Sequence, residues 1–482
     1  MNNQLTNNTI NGLFWKFAER FGVSGVQFIL QLILARLLSP NDYGVLSIMV
    51  IFTTLANVFI QNGFNTALIQ KKDTTDEDFS SVFWLTLVIS IIIYVLLFIS
   101  APVIAQFYNM PTIIVPFRIL ALMIIPGALN SIQIAIISRK MDFKKIFTSN
   151  LLAIILSGFV GIVLAYANAG VWALVFQTLL NVVLACIVMW FTVKWRPSLI
   201  FDIKKVKELF SFGWKLLVSS LLDTLYQDLS SLVIGKKYDS SVLGFYNRGK
   251  QFPQFLINAI NGSVQSVMLP AMSLIQDKTD QVKSMMRRSI KLSSYIIFPI
   301  MMGLAVVSEP MVKILLTDKW LPCVPYLQIF CFSFAFYPIH TCNLQTINAI
   351  GRSDIFLKLE IIKKIIGLFV LFIAVYCFDS PIVIALTGVV TTFTSSFINA
   401  YPNKKLINYS YQEQIKDILP NFLLSIVMGI LVYPILLFNL NAFMTLIIQI
   451  FAGIFIYVIG SILFKIESYF YILNMIKNFI KR

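Results

Sequence analysis

Apolar runs of roughly 17–25 residues, the length a helix needs to cross a hydrocarbon core, recur from end to end of this 482-residue chain. Fourteen are predicted, near 12–38, 42–69, 79–106, 112–138, 146–168, 170–195, 207–233, 242–270, 289–309, 322–350, 353–378, 381–401, 416–438 and 441–464. Backbone in lipid must satisfy its own hydrogen bonds, so the runs read as helices of an all-α integral membrane protein. The 58% share of hydrophobic residues agrees, since a soluble domain holds roughly 45–50%. The longest polar connections, around 194–207 and 275–288, are too short for an extramembrane catalytic module. The amino-terminal MNNQLTNNTIN lacks the basic leader and cleavage site of a secretory signal, so the first run is expected to stay on the mature chain.

One polar stripe occurs twice. Lys16, Arg20, Ser24, Gln27 and Gln31 are echoed by Lys215, Ser219, Asp223, Tyr226 and Ser230, both spaced 4-4-3-4 and therefore on one helical face. Trp15-Lys16 is matched by Trp214-Lys215, and Arg36 with Gly44 by Lys236 with Gly244. The basic turn SRKMDFKK (138–145) is echoed by GRSDIFLK (351–358), where Asp142 and Asp354 suit helix starts. The expected organisation is two pseudo-symmetric six-helix lobes, 1–206 (spans 1–6) and 207–405 (spans 7–12), related by an axis along the membrane normal. Residues 406–482 hold spans 13 and 14, apolar on nearly every face, and a basic cytoplasmic tail.

The net charge of +16 is not a nucleic-acid signature, because its cations alternate between loops. Arg139, Lys140, Lys144 and Lys145, then Lys194, Arg196, Lys204, Lys205 and Lys207, then Lys278, Lys283, Arg287, Arg288 and Lys291 fall on one side. Lys236, Lys237, Lys313 and Lys319 fall on the other. By the positive-inside rule both termini are cytoplasmic. His340 is the one histidine, which leaves a histidine metal site without partners, and the five cysteines read as small apolar fillers. No cofactor and no catalytic residue is expected.

Polar residues inside the spans carry the functional reading. Cations there outnumber acids, and a water-filled path with surplus positive charge attracts an anion. The candidate substrate-binding residues are Lys16, Arg20, Gln27, Gln31, Arg118, Lys215, Arg248, Lys250, Asn258, Lys363 and Lys364. Structural alternatives stand beside them: Lys16 snorkelling or paired with Glu19, Glu360 neutralising Lys364, and Asp223 pairing with Lys215. Asp223 is the candidate ion-coupling acid. No GxxxxGK[ST] motif is present, so proton or sodium coupling is the expected drive, one charge being worth about 2.3 kcal/mol per 100 mV.

Several strings carry a resemblance together: LARLLSPNDYGVLSIM (34–49), SRKMDFKK, GVWALVFQ (170–177), LGFYNRGKQFP (243–253), VMLPAMS (267–273), KILLTDKWLPCVPYLQIF (313–330) and NAIGRSD (348–354). From about span 1 to span 12 the chain resembles the Wzx-type polysaccharide transporters, a branch of the multidrug/oligosaccharidyl-lipid/polysaccharide (MOP) exporter superfamily. The resemblance implies a MATE-like fold of fourteen helices with a central cationic cavity. It also implies alternating-access flipping of an undecaprenyl-pyrophosphate-linked oligosaccharide across the bacterial cytoplasmic membrane, for surface polysaccharide synthesis. Membrane lipid, a polysaccharide polymerase and chain-length proteins are the implied partners, and the last two helices the implied wall of a lipid-tail groove. A multidrug exporter of the same fold would want acids in the cavity. A polymerase or ligase would want a large outer loop, and every outer loop here is short.

Overall fold

A computed structural model describes residues 15, 18–61, 68, 69, 71, 73–438 and 440–480. Lys16 lies outside the described residues, and Arg20 is described in its backbone alone. Contacts divide the chain into two compact units, residues 1–244 and 245–482.

In the first unit a π-helical turn, Glu19–Val23, leads into α1 (Ser24–Leu37), then α2 (Pro40–Gln61), α3 (Asp76–Phe107), α4 (Ile114–Ala121), α5 (Ile124–Lys140), α6 (Phe143–Tyr166), α7 (Val171–Thr192) and α8 (Ile203–Lys237). Local chemistry sets the ends. The Thr75 hydroxyl accepts from the Asp78 amide while the Asp78 carboxylate accepts from the Thr75 amide, a capping box that opens α3. Asp202 caps α8 by accepting from the Lys204 amide. α6 and α7 form a hairpin, α1 lies on α6, and α5 packs on α3 and α7. At one end of α3, Phe83, Ile132, Ile136 and Leu209 are buried beneath Trp84, Trp190 and Trp195, with Phe83 edge-on to Trp84 at 5.4 Å.

α8, which the repeat puts at the head of the second lobe, packs on α2 and α3, so the boundary between compact units falls after it. The corner beyond it is held reciprocally. A Cβ at Gly44 would lie 1.6 Å from the carbonyl oxygen of Ser240, and one at Gly244 would lie 2.1 Å from that of Pro40. The Ser240 hydroxyl donates to Asn41 Oδ1 across the same crossing. These are the two glycines matched by the repeat. Each leaves the other's chain the room that close backbone approach requires.

The second unit takes most of α9 (Ser240–Ser273), then α10 (Thr279–Val306), α11 (Ser308–Leu316), α12 (Val324–Ala335), α13 (Tyr337–Ala349), α14 (Ser353–Cys377), α15 (Pro381–Ala400), α16 (Tyr411–Val432), α17 (Ala442–Leu463) and α18 (Glu467–Ile480). Ser410 and Glu413 make a second capping box at α16, and Asn441 caps α17. α10 is the hub, packed on α12, α13 and α16. The basic tail expected beyond span 14 is helical in α18, which folds back onto α10.

Ten helices among the described residues are long and apolar enough to cross a membrane. The expected spans that fall short are 1, 7, 8 and 11. α8, α9 and α14 are ample in length at 35, 34 and 25 residues; polar content, not reach, sets them apart. Span 1 is described as the π turn and the 14 residues of α1. Spans 4 and 10, expected as continuous helices, are each interrupted, between α4 and α5 at Leu122–Met123 and between α12 and α13 at Phe336. Pro126 and Pro338 fall in the first turn of the second segment, where a missing N–H removes no intrahelical bond. The interruptions recur at the same place in both halves of the repeat.

Candidate functional site

Depth decides which charged side chains need water. On α8 the loop cations Lys207 and Lys236 are separated by about 44 Å at 1.5 Å per residue, which places Asp223 close to the middle and Lys215 about 10 Å nearer Lys207. Lys215, Ser219 and Asp223 are all exposed on this helix. A charge at the centre of a spanning helix costs about 2.5–3.5 kcal/mol on insertion scales unless water or a partner reaches it. Asn258, near the middle of α9, is exposed as well, while Lys250 is half-buried. On α1, Gln27 is exposed and Gln31, one turn on, is half-buried.

Lys363 and Lys364 sit near the middle of α14, both half-buried. Glu360 takes a hydrogen bond from the Lys363 ammonium at 2.5 Å. Arg118 and Arg248 are committed to protein. The Arg118 guanidinium lies 4.1 Å from the Phe98 ring centroid and its Nε donates to the Phe98 carbonyl at 3.1 Å. Arg248 is 4% exposed, donates to Gln251 Oε1 at 2.6 Å and lies over Trp320, 5.2 Å from the ring centroid. Both have the geometry of anchors. Glu19 accepts a hydrogen bond from the Asn150 amide at 3.3 Å.

Two features escaped the sequence reading. Lys71 bridges Asp78 at 3.2 Å and Glu208 at 3.3 Å, and Lys205 pairs with Glu77, tying the loop before α3 to the start of α8. Partial burial opposes the charge on Lys71, but the two carboxylates outweigh it and hold the ammonium above the ordinary lysine range. The second feature is an apolar groove of about 530 Å³ lined by Leu256, Ile300, Leu304, Gly429, Gly453 and Tyr457, from α9, α10, α16 and α17. Gln449 is the exception in its wall. It is 1% exposed, and neither amide atom has a hydrogen-bond partner among the described residues.

Comparison with known proteins fits this geometry. The family model described as "Polysaccharide biosynthesis protein" matches residues 33–325. The chain is 24% identical over 460 residues to the teichuronic acid biosynthesis protein TuaB of Bacillus subtilis (strain 168), covering 94% of this chain and 95% of that one. It is 25% identical to the lipopolysaccharide biosynthesis protein WzxC of Escherichia coli (strain K12), over 74% of this chain and 73% of that one. Among solved structures, the inward closed conformation of the lipid II flippase MurJ superposes with a TM-score of 0.75 at 18% identity, covering 94% of this chain and 98% of that one. An inward-facing multidrug MATE transporter superposes at 0.60 with 16% identity, over 80% of this chain and 96% of that one. An all-helical, multi-pass membrane chain with a MurJ/MATE-like fold and a family match over more than half its length, this protein belongs to the polysaccharide biosynthesis protein family.

Proposed function

We propose that the protein flips an undecaprenyl-pyrophosphate-linked oligosaccharide repeat unit from the cytoplasmic to the outer leaflet of a bacterial cytoplasmic membrane. On this reading all fourteen predicted helices span, both termini are cytoplasmic, and the lobes follow the repeat: 1–206, 207–405, then 406–482. The observation that carries the proposal is the exposure of Asp223 near mid-depth of α8, with Ser219 and Lys215 exposed towards the Lys207 end, which calls for a hydrated path. Lys16, Arg20, Lys215, Lys250, Lys363 and Lys364 give that path its preference for pyrophosphate, and Gln27, Gln31 and Asn258 offer amides to sugar hydroxyls. Asp223 is the acid assigned to carry a coupling proton or sodium ion. Arg118 and Arg248, anchored as described, support the wall of the path. The apolar groove beside α16 and α17 suits a polyprenyl chain, which would trail there while the polar head crosses by alternating access.

A deletion strain tests the proposal. Lipid-linked repeat units should accumulate on the inner leaflet, and wild-type protein should restore surface polymer while Lys215→Ala, at normal abundance, should not. Accumulation of single units on the outer leaflet would instead mark a polymerase, and normal export by Lys215→Ala would remove the cationic path.

A further inference from the structure

We propose that the second unit holds a binding site for an anionic phospholipid at the junction of α10 and α18, apart from the cationic path and bordering the apolar groove at Ile300. Ser284, Arg288, Leu292, Ile296 and Ile300 follow one another at four-residue spacing and form a ridge of α10. The first three line a cavity of about 620 Å³ whose other wall is Glu467, Ser468 and Tyr471 at the start of α18.

The cations around this cavity are unequal. Arg287 donates through Nε and a terminal nitrogen to both oxygens of the buried Asp417, at 2.7 and 2.8 Å. Lys291 bonds Glu467 at 2.6 Å and lies 3.5 Å from Asp417. Arg288 is exposed, and its guanidinium lies over Tyr471, 3.7 Å from the ring centroid. Among the described residues no carboxylate is within ion-pair distance of it. Three cations therefore face two carboxylates, and the surplus charge sits on the Arg288 guanidinium, held over Tyr471, whose N–H groups can donate to a phosphate.

The ridge selects a lipid over a free phosphate. Below Leu292 it continues as Ile296 and Ile300, 42% and 38% exposed. Arg288 and Ile300 are about 18 Å apart along the axis, close to half of a hydrocarbon core about 30 Å thick. A phosphodiester at Arg288 thus lays its acyl chains on an apolar strip within one leaflet. α18 follows spanning helix α17 directly and suits the interfacial position of an amphipathic helix, closing over the headgroup.

The test uses the purified full-length protein in neutral detergent micelles, titrated with phosphatidylglycerol, phosphatidylcholine or glycerol 1-phosphate. Thermal midpoint and lipid adducts by native mass spectrometry are read together. Phosphatidylglycerol should raise the midpoint and remain bound where phosphatidylcholine does not. Arg288→Gln should weaken the phosphatidylglycerol effect about tenfold, the loss of one charged hydrogen bond. Lys278→Gln, an exposed charge at the α10 N-cap outside the cavity, should leave it intact. If Arg288→Gln shifts the midpoint without lipid, adduct counts on its folded fraction decide. Equal effects of the two lipids, or unchanged binding by Arg288→Gln, overturn the proposal. A full response to glycerol 1-phosphate alone would make the ligand a soluble phosphate ester and overturn the lipid assignment.

Discussion

Substituting alanine for Gly44 inserts a methyl group into a contact with no rotamer escape. The added Cβ would lie 1.6 Å from the Ser240 carbonyl oxygen and 2.4 Å from its carbonyl carbon, and both are backbone atoms. Ordinary carbon–oxygen contact begins above about 3.2 Å, near the distance of a Cα–H···O approach, so the starts of α2 and α9 must separate by roughly 1.5 Å. Overpacking of this kind costs about 1–3 kcal/mol. Because the obstruction is main chain, about 3 kcal/mol is expected, with loss of the Asn41–Ser240 hydrogen bond included. Gly244→Ala meets the Pro40 carbonyl oxygen at 2.1 Å and should cost slightly less. A single separation of the helices relieves both clashes, so the double variant should fall well short of the sum, with a coupling of at least about 1 kcal/mol. Thermal midpoints of wild type, both singles and the double, at one scan rate in detergent, measure this. Singles within about 0.5 kcal/mol of wild type, or an additive double, would refute the close crossing.

Other substitutions separate structural from transport roles. Asp417→Ala removes a buried carboxylate that also accepts from Tyr409 Oη at 2.8 Å, leaving Arg287 without its carboxylate and Lys291 with Glu467 alone; a loss of about 3 kcal/mol is expected from the thermal midpoint. Arg248→Ala should lower export only as far as it lowers protein abundance, by immunoblot against polymer yield, because its guanidinium is buried, donating to Gln251 and lying over Trp320. Gln449→Leu replaces a buried amide without hydrogen-bond partners among the described residues and should raise the midpoint, a gain of about 1–2 kcal/mol.

How much of this was legible beforehand depends on whether a feature is local. The apolar runs of α3, α6, α7, α16 and α17 announce spanning helices because lipid contact selects for composition, which a sequence displays. The matched Gly44 and Gly244 were visible as a repeat, but their facing Ser240 and Pro40 was not, since a spacing carries no register between distant helices. Arg248 shows the same limit: its charge is in the sequence, whereas Trp320, 72 residues on, is supplied by folding. Pro126 and Pro338 were available signs of the interruptions in spans 4 and 10. They do not by themselves mark a break, because proline position matters only relative to where a helix restarts. Arg287 and Lys291 counted toward topology, and their pairing with Asp417 and Glu467 emerged only once α16 and α18 were placed against α10.

Water access to the middle of α8 is the decisive quantity, and single cysteines measure it. In a background with the exposed Cys377 replaced by serine, Lys215→Cys, Asp223→Cys and Asn258→Cys should react quickly with a charged, membrane-impermeant thiol reagent. Phe451→Cys and Phe455→Cys, at exposed apolar positions of α17, should stay unlabelled in lipid. If the three polar positions prove as inert as those two, no aqueous path runs along α8, and the proposed passage of a charged headgroup is contradicted.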